Sequence, residues 1–352
     1  MNDGLRGETV SLLEGEIRQQ PRIIAHLLDN PIYNEVASAI QRADPRFIVF
    51  AARGSSDNAA RYAQYLFGIH ARLPVALATP SVHTLYDSPP VYRDAVVIGI
   101  SQSGQSADVL QVVQDASSQG ALTITITNDE SSPMAHAGNF HIPLNCGLEQ
   151  SIAATKTYTA QLTSLALIAA YLDQSGQLLG DLGYLPGFIE RTLILTPNII
   201  ERAERFRFMS HCVVIGRGYN YATAHEIALK LKELTYAIAE PYSSADFRHG
   251  PKAIIEDNFP VIAIAPQGRT QPDVIALLEE LGERGADITV IGAGDEALRF
   301  ARLPMPLPQN IPEWLSPVVS VVPGQLLAMA VAAVKGHDLD SPRGLSKITV
   351  TR

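Results

Sequence analysis

One half of the chain repeats the other, and this repeat limits the folds that the chain can adopt. Four apolar stretches rich in β-branched residues begin at Phe47, Ala95, His211 and Phe259, and the last two follow the first two by 164 residues. The stretches "GALTITIT" and "GADITVIG" form a third pair. Such stretches are typical of buried strands, and similarity at a fixed offset indicates two copies of one structural unit.

The repeated unit predicts an α/β fold. Between the strands lie segments with apolar residues at helical spacing, and apolar strands that alternate with helices form parallel sheets covered on both faces. We therefore predict two tandem, doubly wound parallel-sheet domains of flavodoxin-like type, at residues 25–180 and 195–335. A helical N-terminal lead (1–24) and a C-terminal tail (336–352) flank them, and the Gly-rich "QSGQLLGDLGYLPG" is the predicted junction.

Composition narrows the class of protein. The net charge of −9 argues against a nucleic-acid partner, which requires a basic face. Cys146 and Cys212 lack metal-ligand spacing, so we expect no metal site and reduced thiols. The N-terminus has no apolar signal region and no run of eighteen apolar residues occurs, so we expect no membrane association and a cytoplasmic location.

The loops at the carboxyl ends of the strands differ between the two copies. Ligands of such sheets bind at these ends. The first copy carries Ser55, Ser56, Ser101, Ser103 and Ser106, where the second has Tyr219, Asn220, Ala265, Gln267 and Thr270. Since serines needed only for turns would persist in both copies, we predict that the first domain alone binds an anion, and a phosphate monoester suits a hydroxyl-rich loop at a helix N-terminus.

A simpler interpretation of these loops stays open. Ser106 could serve only as the N-cap of the following helix, with the other serines solvated. No G-x-G-x-x-G spacing is present, so a dinucleotide site is not expected.

The second copy contains candidate acid–base groups. In the predicted helix "HEIALKLKELTYAIAE" (225–240), Glu226, Lys230 and Glu233 share one face, where a carboxylate beside a lysine can transfer protons. The alternative is a solvated helix face. His249 lies in the turn "FRHGPK", where a lone histidine is often inert, and the tail carrying Lys347 either frays or folds back to bring a lysine into a site.

Five motifs together resemble a known family. They are "SQSGQSADV", "ATKTYTAQ", "ALKLKELTYAIAE", "FRHGPKAII" and "SPRGLSKITV", and they resemble the sugar-isomerase (SIS) domains, in particular the isomerase half of the glutamine–fructose-6-phosphate aminotransferases. The resemblance runs from about residue 25 to the end. It implies that the phosphate loop comprises Ser56, Ser101, Gln102, Ser103 and Ser106, and that the sugar contacts Gly54, Ser55, Ile152, Ala154 and Ser346.

The same resemblance implies roles for the remaining candidates. Glu233 is implied as the enolisation base, supported by Glu226 and Lys230. His249 is implied to open the sugar ring, reaching into the neighbouring site of a homodimer. Lys347 is implied to engage the sugar carbonyl, with no cofactor and no metal.

The chain also departs from this family. Asn2 stands where the family has the cysteine of a glutaminase domain, and fewer than fifty residues precede the first strand, so we expect no ammonia-generating domain. Ala154 replaces a serine near the sugar, which leaves the selectivity between C1 and C2 open.

We therefore expect a deaminase that converts glucosamine-6-phosphate to fructose-6-phosphate and ammonia. A fructosamine-6-phosphate deglycase or another phosphosugar aldose–ketose isomerase is the alternative enzyme. A sugar-phosphate sensor without catalysis is the alternative of another class, although it has no need of Glu233, Lys347 and His249 together.

Overall fold

Two parallel five-stranded sheets form the framework of the protein. The computed structural model describes residues 10–173 and 176–347. The first sheet has the order β2-β1-β3-β4-β5 and the second the equivalent order β7-β6-β8-β9-β10. The strands are β1 (Phe47–Ala51), β2 (Val75–Leu77), β3 (Ala95–Ser101), β4 (Leu122–Thr127), β5 (Phe140–Pro143), β6 (His211–Gly216), β7 (Ile238–Ser243), β8 (Pro260–Ala265), β9 (Asp287–Gly292) and β10 (Leu303–Pro306). The predicted tandem α/β architecture is thus confirmed.

Helices cover both faces of the sheets. They are α1 (Leu12–Leu28), α2 (Ile32–Ala43), α3 (Ser55–His70), α4 (Pro80–Thr84), α5 (Ala107–Ser118), α6 (Lys156–Leu172), α7 (Gln177–Leu182), α8 (Leu185–Leu193), α9 (Thr196–Arg202), α10 (Asn220–Thr235), α11 (Ser244–Arg248), α12 (Gln271–Glu283), α13 (Asp295–Leu298) and α14 (Ser316–Val334). Among the described residues, short 3₁₀ turns precede β6, β8 and α14.

The structure corrects the predicted ends of several segments. α1 runs on to Leu28, so the predicted boundary at residue 24 lies inside a helix, and the predicted Gly-rich junction forms α7 and the start of α8. The helix predicted for 225–240 ends at Thr235, because Tyr236 adopts a left-handed backbone with φ of 58° and β7 then begins at Ile238. The strand-like "ITVT" of the tail lies outside the described residues.

Helices from both domains form one layer between the two sheets. α3 and α6 pack together, α3 also packs on α10, and α10 packs on α14. A single continuous apolar core therefore contains side chains from both domains. Segment 313–334 is long and apolar enough to cross a membrane by length and composition, but 89% of its most apolar part is buried inside the protein, as in a core helix.

Candidate active site

A cavity of about 350 Å³ opens at the carboxyl ends of β1 and β3. The segments that follow these strands form one wall, and α6 with the segment before it forms another. The lining residues are Arg53, Gly54, Ser55, Ser56, Ile100, Ser101, Gln102, Ser103, Ser106, Ile152, Ala154, Thr157, Gln161 and Lys347. The cavity thus lies where a doubly wound sheet binds its ligands.

The serine loop between β3 and α5 turns hydroxyl and amide groups inward. The Ser101 and Ser106 hydroxyls lie 3.2 Å apart, and Ser101 Oγ accepts the Gly104 N–H at 3.1 Å. Ser106 is the N-cap of α5, yet its side chain makes no capping hydrogen bond, so its hydroxyl is available to a ligand. Gly104 has a φ of 64°, and a β-carbon there would overlap the buried side chain of Ser132. Glycine is therefore required for the tight loop.

Arg53 adds a positive charge that sequence reasoning missed. Its guanidinium donates to the buried Asp108 at 2.8 Å, and about half of the Arg53 side chain stays exposed at the cavity. Arg53 could have been recognised as a site residue from the sequence, because it directly precedes Gly54 in the loop after β1. Gln161 on α6 was also missed, and its amide donates to Ser56 Oγ at 3.0 Å.

The predicted acid–base residues form a cluster behind Ser55. Lys230 Nζ lies 2.5 Å from a Glu233 carboxylate oxygen and 3.5 Å from a Glu226 carboxylate oxygen. The Ser55 hydroxyl donates to Glu226 at 2.9 Å, and the Asn58 amide donates to its other oxygen at 2.8 Å. Because Ser55 and Asn58 lie on α3 while the charged residues lie on α10, the cluster joins the two domains.

Burial sets the charge states in this cluster. Glu226 is completely buried, which raises its carboxyl pKa although Lys230 and Asn58 oppose the shift. Burial alone would lower the Lys230 pKa, but the carboxylates of Glu233 and Glu226 outweigh it, so the net shift is upward. Lys230 therefore stays protonated. Glu233, with 23% of its side chain exposed, is the more exposed of the two acidic side chains in the cluster.

Lys347 extends from the tail into the cavity and is held there by a buried carboxylate. Its ammonium donates to Glu149 at 3.0 Å and to the Ser151 carbonyl at 2.6 Å. Glu149 in turn accepts the N–H groups of Thr155 and Thr157 and the Thr157 hydroxyl. The tail therefore folds back at Lys347, and Glu149 is a further site residue that sequence reasoning missed.

The structure sorts the predicted residues into three groups. Those on the cavity wall are Gly54, Ser55, Ser56, Ser101, Gln102, Ser103, Ser106, Ile152, Ala154 and Lys347, and those directly behind it are Glu226 and Lys230. Glu233, His249 and Ser346 do not line the cavity. His249 follows α11, beside the edge strand β7 of the second sheet, and is exposed.

Known proteins with similar sequences and structures agree with the resemblance to SIS domains. Residues 43–171 and 208–335 match the SIS domain. The chain is 35% identical over 339 residues to a glutamine–fructose-6-phosphate aminotransferase (isomerizing) of Aquifex aeolicus; the match spans 96% of this chain but 57% of that protein. The C-terminal domain of the glucosamine-fructose-6-phosphate aminotransferase of Francisella tularensis has a TM-score of 0.86 at 26% identity, with 96% of this chain and 100% of that domain covered.

A glucosamine-6-phosphate deaminase of Thermotoga maritima has a TM-score of 0.78 at 23% identity, covering 97% of this chain and 100% of the other. At that identity the likeness is one of fold. The chain spans a little over half the length of the curated aminotransferase.

Proposed function

The chain belongs to the SIS domain family, and from this membership and the geometry of its cavity we propose that it is a phosphosugar-isomerising enzyme that deaminates glucosamine-6-phosphate. The products are fructose-6-phosphate and ammonia. One observation carries the proposal: the serine loop and the Lys347 ammonium line the same cavity, with the carboxylate and lysine cluster of α10 directly behind it. Groups that can bind a phosphate, donate to a carbonyl and transfer a proton thus lie around one cavity.

The phosphate group is proposed to lie on the serine loop. The hydroxyls of Ser101, Ser103 and Ser106 and the N-terminus of α5 supply donors for a dianion, and Arg53 supplies a positive charge. Ile152 and Ala154 also line the cavity of about 350 Å³, and we propose that the carbon chain of the hexose lies beside them.

The isomerisation is proposed to be a proton transfer from C2 to C1 of the open-chain sugar. Glu233 removes the C2 proton and returns it to C1, while O1 takes up a proton and the amine gives one up, so the 2-amino aldose becomes the imine of a 2-ketose. Lys230, protonated and 2.5 Å from Glu233, stabilises the Glu233 carboxylate before it takes up the proton and after it has returned it. Lys347 donates a hydrogen bond to the carbonyl or imine. Water then adds to the C2 imine carbon, and the C–N bond breaks to give ammonia and the ketose.

His249 is proposed to act in the site of a second copy in a homodimer. It is exposed at the end of α11 and does not line the cavity of its own chain. Ring opening by this residue therefore requires a partner subunit. Two inactive variants, His249→Asn and Lys347→Met, are expected to regain activity when they are mixed and allowed to exchange subunits. An active monomer on gel filtration contradicts this arrangement.

A deglycase is the second candidate, and one observation favours it. A cavity of about 400 Å³ shares Gln102, Ser103 and Lys347 with the first and extends past Asn128 and Asp129. A substituent on the substrate nitrogen would fit there, as in an amine-linked fructosamine-6-phosphate.

The cytoplasmic location remains a prediction from sequence.

The deciding experiment measures ammonia and fructose-6-phosphate released from glucosamine-6-phosphate by the purified chain, beside Glu233→Gln. We expect release by the wild type and a loss of at least about 100-fold in the variant, the contribution typical of a general base. Release that persists in Glu233→Gln removes that residue as the base. No release by either protein removes the deaminase, and fructosamine-6-phosphate and the plain hexose phosphates are then assayed. Binding of these sugars without turnover of any indicates a sensor.

A further inference from the structure

The second domain has a cavity of its own at the position equivalent to the first. It measures about 680 Å³ and lies at the carboxyl ends of β6 and β8, against α3 of the first domain. Arg217 and Gly218 follow β6 here, as Arg53 and Gly54 follow β1, and Arg269 and Thr270 follow β8. The repeat therefore supplies a second cleft, whose walls differ from those of the first.

The loop donors in this second cleft are already occupied by the protein itself. The Glu313 carboxylate accepts the N–H groups of Arg269 and Thr270 at 2.9 and 3.0 Å and the Thr270 hydroxyl at 2.9 Å. Thr270 is the N-cap of α12, as Ser106 is the N-cap of α5. A side-chain carboxylate thus lies where the equivalent loop of the first domain is open, so a phosphosugar cannot bind here in the same way.

Two arginines remain to hold an anion. The Arg217 guanidinium donates to Ser243 at 3.2 Å and lies 3.9 Å from Asp273, which Arg248 already engages at 2.9 Å. The Arg269 side chain is exposed and lines the cleft. A planar guanidinium suits a carboxylate or a phosphate, which it can bind with two hydrogen bonds.

Aromatic rings also line the cleft, beside the side chains of Asp246 and Glu313. They belong to Tyr65, His70, Tyr219, Tyr221 and Trp314. Tyr219 and Trp314 are nearly buried, whereas Tyr65 and Tyr221 are partly exposed, so ring surface faces the cavity. The first cavity has no aromatic ring among its lining residues. Ring walls favour a flat apolar body over a polyhydroxylated chain.

We propose that the second cleft is a separate ligand site for a small aromatic anion, an aryl phosphate or aryl carboxylate, with the anionic group on Arg217 and Arg269 and the ring among the aromatic side chains. Asp246 also lines the cleft and disfavours a second anionic group on the same ligand. The inference does not depend on the activity proposed above, because it concerns binding without turnover.

Trp314 provides the test, since it is the only tryptophan of the chain and lies in the wall of this cleft. Phenyl phosphate is titrated into the full-length protein while tryptophan fluorescence is recorded, with calorimetry in parallel. We expect a saturable change in fluorescence, weakened about tenfold or more by each of Arg217→Gln and Arg269→Gln. Ser103→Ala, which alters the first cavity, is the matched control and should leave this signal unchanged.

Three results would overturn the proposal. A fluorescence change lost in Ser103→Ala but kept in both arginine variants places the ligand in the first cavity. An equal response to inorganic phosphate shows that the ring is not recognised. If neither phenyl phosphate nor benzoate gives a saturable signal, the cleft does not bind small aromatic anions. Circular dichroism of each variant shows whether a lost signal reflects binding rather than unfolding.

Discussion

Gly104→Ala tests whether the serine loop depends on one glycine. At a φ of 64°, alanine is strained by about 1 kcal/mol. The added β-carbon would also overlap Oγ and Cβ of Ser132, which cannot easily move because it is buried and its hydroxyl donates to the Asp129 carbonyl at 2.7 Å. Overpacking of this kind costs about 1–3 kcal/mol, so we expect a total loss of about 2–4 kcal/mol in the free energy of unfolding.

Gly120→Ala is the matched control. Gly120 follows the end of α5 with a φ of 81°, and a β-carbon there meets no atom within 4 Å, so only the backbone strain of about 1 kcal/mol is expected. Urea unfolding followed by circular dichroism measures both variants, and Ser132→Gly in the Gly104→Ala background should recover part of the loss. If Gly104→Ala is no less stable than Gly120→Ala, the loop has relaxed and the steric argument is refuted.

Three further predictions concern the site and its surroundings. Ser103→Ala should raise KM for the phosphosugar about 10- to 100-fold with little change in kcat, since one hydrogen bond to a dianion is lost; the exposed Ser117→Ala is the control. Glu149→Gln should lower kcat by about 10- to 100-fold because Lys347 loses its charged partner, and an unchanged kcat would show that this contact does not position the lysine. Burial raises the pKa of Glu16, so the folded state binds its proton more readily than the unfolded state. The stability of the wild type relative to Glu16→Gln should therefore be greatest below about pH 4 and decline as the pH rises through the pKa of Glu16 in the folded state. Urea titrations measure this stability difference, and an advantage of the wild type that grows with pH contradicts the raised pKa.

The central strands were predictable from the sequence, whereas the edge strands were not. β1, β3, β6 and β8 are largely apolar on both faces, and β4 and β9 are rich in β-branched residues, which leaves a clear pattern. β2 has three residues, and β7 and β10 contain prolines that central strands exclude, so their pattern is weak. α14 was missed as well, because a helix buried on all sides has no polar face to show helical periodicity.

The site was predictable where it depends on loops next to strands. The serines were found because the two copies could be compared at equivalent loops. Glu149 was missed because its role depends on Lys347, which is 198 residues away along the chain. Glu313 was missed for the same reason, since its partner loop lies 43 residues before it and only folding joins them.

The contacts at Ser55 show how groups from the two copies meet at one cavity. Ser55 begins α3 in the first domain, lines its cavity, and donates to Glu226 on α10 of the second domain. The first copy therefore supplies the serine loop, for which we propose phosphate binding, and the second supplies the charged helix that lies behind the same cavity. With its own loop closed by Glu313, the second domain has no equivalent phosphate site to maintain. Since the proposed chemistry needs groups from both copies around one cavity, neither domain alone should be active.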